Sequence, residues 1–156
     1  MLVTLSNFVN EISIPITNTG NDRVDAPANE ELQAYIDKYE IEYFTNYFGT
    51  TLQSYWNDYT GSDSDILSVK TQLTEAAAYY IFCKYVKRKN IQYNVSAATK
   101  ETIEGSRESN NNTVFIDRYN EMINITRNVA RNIPVTLWSE NKCYLTPDLI
   151  KYLFAW

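Results

Sequence analysis

The reactive side chains of this 156-residue chain are carboxylates, amines, guanidiniums, hydroxyls and two thiols, because histidine is absent altogether. That removes the commonest general base and metal ligand. Cys83 and Cys143 are 60 residues apart and form neither a CxxC nor a zinc-binding spacing. Cys83 reads as a small buried apolar residue, and nothing requires a disulfide between the two. The carboxylate pairs Glu40/Glu42 and Glu101/Glu104 have no convergent partner in the sequence and read as solvated helix faces. There is no GxSxG, Walker A, GxGxxG or HExxH. Lys84-Tyr85-Val86-Lys87-Arg88-Lys89 mixes bases with aromatics and could touch phosphates. The same run is what a helix C-terminus looks like, and a pI of about 4.8 opposes strong nucleic-acid affinity. No enzyme, cofactor or metal is expected.

The element that would carry these bases is Asp65 to Asn90. It holds no Pro or Gly, and Ile66, Val69, Leu73, Ala76, Ala77, Tyr80, Ile81 and Tyr85 draw a helical stripe. Gly61 to Asp65 supplies N-cap residues, and the bases of the last turn suit the negative end of the helix dipole. The run Ala76-Ala77-Ala78 would let neighbouring helices approach closely. This is the expected central helix.

Before it, residues 1–29 read as an extended arm. Ile12, Ile14 and Ile16 alternate with polar residues or Pro15, which confines any strand to an edge. Such an arm docks either on its own domain or on a neighbour. Asn29 can cap a helix starting at Glu30-Glu31, running to Phe48 as one piece or as two broken near Lys38 to Ile41, with Gly49 as its stop. A short amphipathic piece with Leu52, Tyr55, Trp56 and Tyr59 follows. Residues 91–112 read as a polar excursion, in which Val95–Thr99 and Thr102-Ile103 can form a small β-hairpin. Asn112 or Thr113 can cap a second long helix, limited by Pro134 and antiparallel to the central one. Thr146-Pro147-Asp148 starts a short last helix with Leu149, Ile150, Leu153 and Phe154, ending on Trp156. That tail closes its own core or anchors in a partner's groove. The expected fold is mainly α, a small bundle of four to five helices around one long one. Its parts are the arm at 1–29, a helical domain at 30–134 and a C-terminal segment at 135–156.

Thirteen Tyr and 17 Asn stand out. An A+T-rich genome explains both, and Tyr also suits a contact-rich surface. The N-terminus lacks a basic leader region and no apolar run is long enough to span a membrane, so a soluble protein made in the cytoplasm is expected. The net charge of −5 divides unevenly, −9 over residues 1–65 and +4 over 66–156. Either these are ordinary solvated faces, or faces of opposite sign meet head to tail between copies, as in rings.

The order of the pieces resembles the head–tail connector (adaptor) proteins of tailed bacteriophages. The likeness runs through the acidic, aromatic opening Leu32 to Phe44 with Phe48-Gly49, then the Ala-rich Leu73 to Lys89. It continues through the polar excursion Gln92 to Asn112 to Asp117-Arg118-Tyr119-Asn120-Glu121-Met122. It covers about residues 30 to 130 with soft patterns, and the Asn- and Tyr-rich composition looks like phages of gut Bacteroidetes.

The resemblance implies a structural virion protein at the phage neck. It would form a ring, usually of twelve copies, joining the portal to a tail or stopper protein and continuing the DNA channel without gripping DNA. On this reading Lys84, Lys87, Arg88 and Lys89 meet an acidic face of the next copy bearing Glu30, Glu31, Asp37 and Glu40. Ile12, Ile14, Ile16, Leu153, Phe154 and Trp156 are the expected partner contacts. The alternatives are another neck or tail-completion ring protein, or a small cytoplasmic helical binding or regulatory protein.

Overall fold

The computed structural model describes residues 1–14, 22–97 and 105–133. These form four helices, α1 (Asp22–Tyr47), α2 (Thr50–Asp58), α3 (Ser64–Ala97) and α4 (Gly105–Asn132), preceded by two short 3₁₀ turns at Leu5–Asn7 and Asn10–Ile12. The mainly helical reading holds, and no strand occurs among the described residues.

The central helix is α3, and local chemistry fixes its start. Asp63 Oδ1 accepts the backbone N–H groups of Asp65 at 2.9 Å and Ile66 at 3.2 Å, satisfying two donors that a helix start leaves open. The periodicity predicts one buried stripe, but every residue from Ala76 to Cys83 is buried. Successive side chains turn by about 100°, so burial of all of them requires neighbours on every side. α1, α4 and the N-terminal segment provide them. Ala76, Ala77 and Ala78 are at most 1% exposed, and their small side chains let this enclosure close.

α1 packs antiparallel to α3: Tyr35 meets Tyr85 with ring centres 5.3 Å apart, and Tyr47 meets Tyr80 at 6.0 Å. α4 is antiparallel to α3 as predicted, with Asn132 beside Asp65 and Val69 and Tyr119 near Tyr80. Trp56, Tyr43, Phe44, Phe48, Leu32, Ile36, Leu52 and Leu73 fill the core with no exposure. Full burial of an apolar side chain of this size contributes about 1.5–3 kcal/mol.

Several expectations are corrected. α1 begins at Asp22, eight residues before Glu30, and carries Pro27 inside it. Acids and alanines at 22–31 favour a helix start enough to accept the one backbone bond that Pro27 removes. Of the two alternatives for this stretch the single helix is the one observed: α1 is unbroken through Lys38–Ile41, with Leu32, Ile36, Glu40, Phe44 and Tyr47 on its buried face. Gly49 does end it: with φ 88°, its N–H reaches the Phe44 carbonyl at 2.7 Å. Val95–Ala97, the described part of the expected hairpin, is helix, since α3 runs on through Ile91–Ala97 and α4 begins at Gly105. No Pro or Gly interrupts 91–97, and helix propagation from a formed end outweighs the β preference of Val95. Residues 98–104 of that excursion lie outside the described residues.

The N-terminal segment is not an extended arm over residues 1–14. It folds into the two 3₁₀ turns and lies on its own bundle, with Val3, Phe8, Ile12 and Ile14 in the core. Asn10, at the left-handed φ of 54°, turns the chain between Phe8 and Ile12.

Candidate subunit interface

The basic residues singled out in the sequence lie on one edge of the α1–α3 pair. Lys84 Nζ is 2.8 Å from Glu42 Oε1, and Tyr80 OH donates to the same oxygen at 2.6 Å. Both charged side chains are about one-third exposed, so the pair is worth at most about 1 kcal/mol. Burial would raise Glu42, but the hydrogen bonds from Lys84 and Tyr80 outweigh it and hold the carboxyl below its usual range. Aromatic rings support the cations. Lys38 and Lys84 sit 4.9 and 5.6 Å from the Tyr39 ring centre, Lys84 also lies 5.0 Å from Tyr80, and Arg88 is 5.9 Å from Tyr35. Partial burial and the positive charge of Lys84 push the Lys87 ammonium below its ordinary value. Lys38, Lys84 and Arg88 thus lie over tyrosine rings along this edge. Lys89 belongs to α3, but its side chain lies outside the described residues.

The expected acidic face is only partly there. Glu30 and Asp37 are exposed and Glu31 is half-buried. Because α1 and α3 are antiparallel, Glu31, one turn before Tyr35, lies at the same end of the pair as Arg88. Glu40 is not part of a surface at all. It is 1% exposed, and its carboxylate accepts the Leu2 N–H at 3.0 and 3.1 Å, the Val3 N–H at 2.9 Å and Gln53 Nε2 at 3.2 Å. The signal is legible in the sequence: Glu40 falls at four-residue spacing with Ile36 and Phe44, in the middle of the buried stripe.

The partner contacts fare similarly. Ile12 and Ile14 are 4% and 5% exposed, packed within the chain's own core. Both pack into the core cluster together with Val3 and Phe8 of the same segment. Ile16, Leu153, Phe154 and Trp156 lie outside the described residues.

Sequence reasoning misses a clasp joining three distant parts of the chain. Glu11 Oε2 accepts from Arg118 Nη1 of α4 at 2.6 Å and from Tyr79 OH of α3 at 3.3 Å. An isolated Glu in a polar turn gives no sequence signal for such a partner. Beside the clasp, an open groove of about 660 Å³ runs between the N-terminal segment and α3, lined among others by Val9, Glu11, Glu75 and Tyr79.

Among the described residues Tyr35, Tyr43, Tyr47, Tyr79, Tyr80 and Tyr85 are buried. Tyr43 OH and Thr126 Oγ1 form a buried hydrogen bond of 2.8 Å. Burial lifts the Tyr43, Tyr47 and Tyr80 phenols well above their ordinary value, with Glu42 adding to the effect at Tyr80. Burial also pushes the Cys83 thiol up to about 12, which makes it a packing residue. Among the described residues no group of acids or thiols could hold a metal ion, and no helix is long and apolar enough to cross a membrane. No protein-family model, curated protein or solved structure matches the chain.

Proposed function

We propose that this chain is a structural subunit of a tailed-phage neck, a head–tail connector whose copies form a ring joining portal to tail. The observation that carries the reading is where the resembling stretches fall. Residues 32–44, 73–89 and 117–122 lie in α1, α3 and α4, the helices that build the core, and Phe48-Gly49 closes α1. A likeness in the residues that specify a fold is worth more than the same likeness scattered over loops and surface. The ordered basic edge at Lys84, Lys87 and Arg88 is the surface offered to a neighbouring copy or to the portal. The acids it meets are Glu30, Glu31 and Asp37 without Glu40. The net charge of −5 suits a bore through which DNA moves without being gripped.

Quantitative mass spectrometry of purified virions tests this directly. A connector is present at about a dozen copies per particle, the stoichiometry of a closed cyclic ring. Absence from virions, with the protein abundant in infected cells, would transfer the assignment to a regulatory binding protein.

A further inference from the structure

The run Lys84-Tyr85-Val86-Lys87-Arg88 is not a helix end. α3 continues to Ala97, so the negative pole of a helix terminus does not account for these bases. Lys84, Lys87 and Arg88 are spaced at three and four residues inside the helix, where like charges share a face and destabilise it. The crowding registers at Lys87, whose ammonium is lowered by burial and by Lys84. Lys84 is answered within the chain, by Glu42 at 2.8 Å.

Two further cations of this edge are placed differently. Lys38 of α1 and Arg88 of α3 are exposed, and neither makes a hydrogen bond or ion pair among the described residues. Each instead lies over a tyrosine ring, Lys38 at 4.9 Å from the centre of Tyr39 and Arg88 at 5.9 Å from that of Tyr35. Those two rings are neighbours, with centres 5.4 Å apart. The chain thus builds one platform on α1 and sets over its two rings an exposed cation from each of two helices. Asp37, next to Lys38, is engaged by Gln33 at 2.8 Å. Cations held in this way lose less freedom on binding than unsupported side chains do.

We infer that Lys38 and Arg88, on the Tyr35–Tyr39 platform, are the point at which this edge takes an acidic peptide segment of a partner chain. Carboxylates are the matching chemistry, and the same edge already seats one, Glu42, between Lys84 at 2.8 Å and the Tyr80 hydroxyl at 2.6 Å. A nucleic-acid backbone fits less well, because its charge is dense and a chain of net charge −5 repels it at longer range. The inference rests on the reading of this edge as a contact surface. It deepens that reading by adding Lys38, which no sequence pattern singles out, and by naming what the edge recognises.

The test titrates the full chain at low salt with a short polyglutamate peptide, followed by calorimetry and by NMR of the lysine and arginine side chains. Lys38→Glu and Arg88→Glu should each weaken binding roughly fivefold. Arg127→Glu makes the same change in net charge at an exposed position of α4 and should leave binding within about twofold. Equal losses in all three variants, or no binding by the wild-type chain, overturn the inference. Should a variant fail to fold, the wild-type titration decides. Shifts concentrated at Lys38 and Arg88 support the site, and shifts spread over the other bases overturn it. A DNA duplex that binds more tightly than polyglutamate at the same salt overturns the acidic partner and makes the edge a phosphate contact. The ring reading fails separately. If the Lys38→Glu and Arg88→Glu chains join the portal as well as wild type does, the inference falls and the ring stands. If the wild-type chain ignores the portal while still binding polyglutamate at Lys38 and Arg88, the ring falls and the site stands.

Discussion

Glu40→Gln offers the sharpest test of how this fold is held together. A surface acid could be neutralised with almost no effect, usually within about 0.5 kcal/mol. Glu40 instead accepts four close contacts from three donors, Leu2 N–H, Val3 N–H and Gln53 Nε2, at 2.9 to 3.2 Å in a buried position. A hydrogen bond to a charged acceptor contributes about 1.5–3 kcal/mol, against about 0.5–1.5 for a neutral one. Glutamine keeps one acceptor oxygen and turns an amide N–H₂ towards donors where a carboxylate oxygen stood. Two weakened bonds and one donor facing a donor sum to a loss of about 2–4 kcal/mol. For a chain of this length that lowers Tm by roughly 5–15 °C. The N-terminal segment should loosen first, so amide exchange at Leu2 and Val3 should accelerate before that of α3. Asp37→Asn, equal in charge change but exposed and bonded to Gln33, should leave Tm nearly unmoved. A Glu40→Gln chain that melts with wild type, with unchanged exchange at Leu2 and Val3, would refute the anchoring role.

Other outcomes follow from the same geometry. Gly49→Ala forces a side chain into φ 88° and ψ 153° and should cost about 1–3 kcal/mol, read as a lower urea midpoint with unchanged slope. Cys83, buried with its thiol raised to about 12, should resist alkylation in the native protein and react only on unfolding, as peptide mapping would show. Glu42 is held below its usual value, so its contribution is present above the unfolded pKa near 4.5 and is lost as pH falls through the lower folded value. Lys84→Met should therefore flatten the acid side of the stability curve by less than about 1 kcal/mol, given the pair's exposure. Charge reversal at Lys87 and Arg88 should weaken self-association and increase its salt sensitivity, measured by sedimentation, without lowering Tm.

Much of the bundle is legible in the sequence because long helices carry their own signal. α3 shows in its unbroken helix formers, and its cap in the polar run that holds Asp63. Gly49 shows as a stop because the turn there needs φ > 0. What fails is tertiary in origin. The strand period at Ile12, Ile14 and Ile16 is real as a pattern, but the described part of that segment answers to the groove it fills. Val95 carries β preference, yet it continues a helix already formed and stabilised elsewhere. Glu40 reads as a surface acid by its charge, whereas its place in the apolar stripe decides its burial, and the donors that satisfy it come from residues 2, 3 and 53. The clasp at Glu11 depends on Arg118, 107 residues away, and no local pattern encodes such a meeting. Periodicity reports a single buried face for α3, whereas a helix enclosed on all sides loses that period.

The claim that this chain builds a neck ring is tested most directly by mass photometry of the purified protein mixed with the portal encoded by the same genome. The account predicts a discrete species near a dozen copies of this chain, or portal-bound rings that grow with its concentration. A chain that stays monomeric both alone and with an intact portal contradicts it.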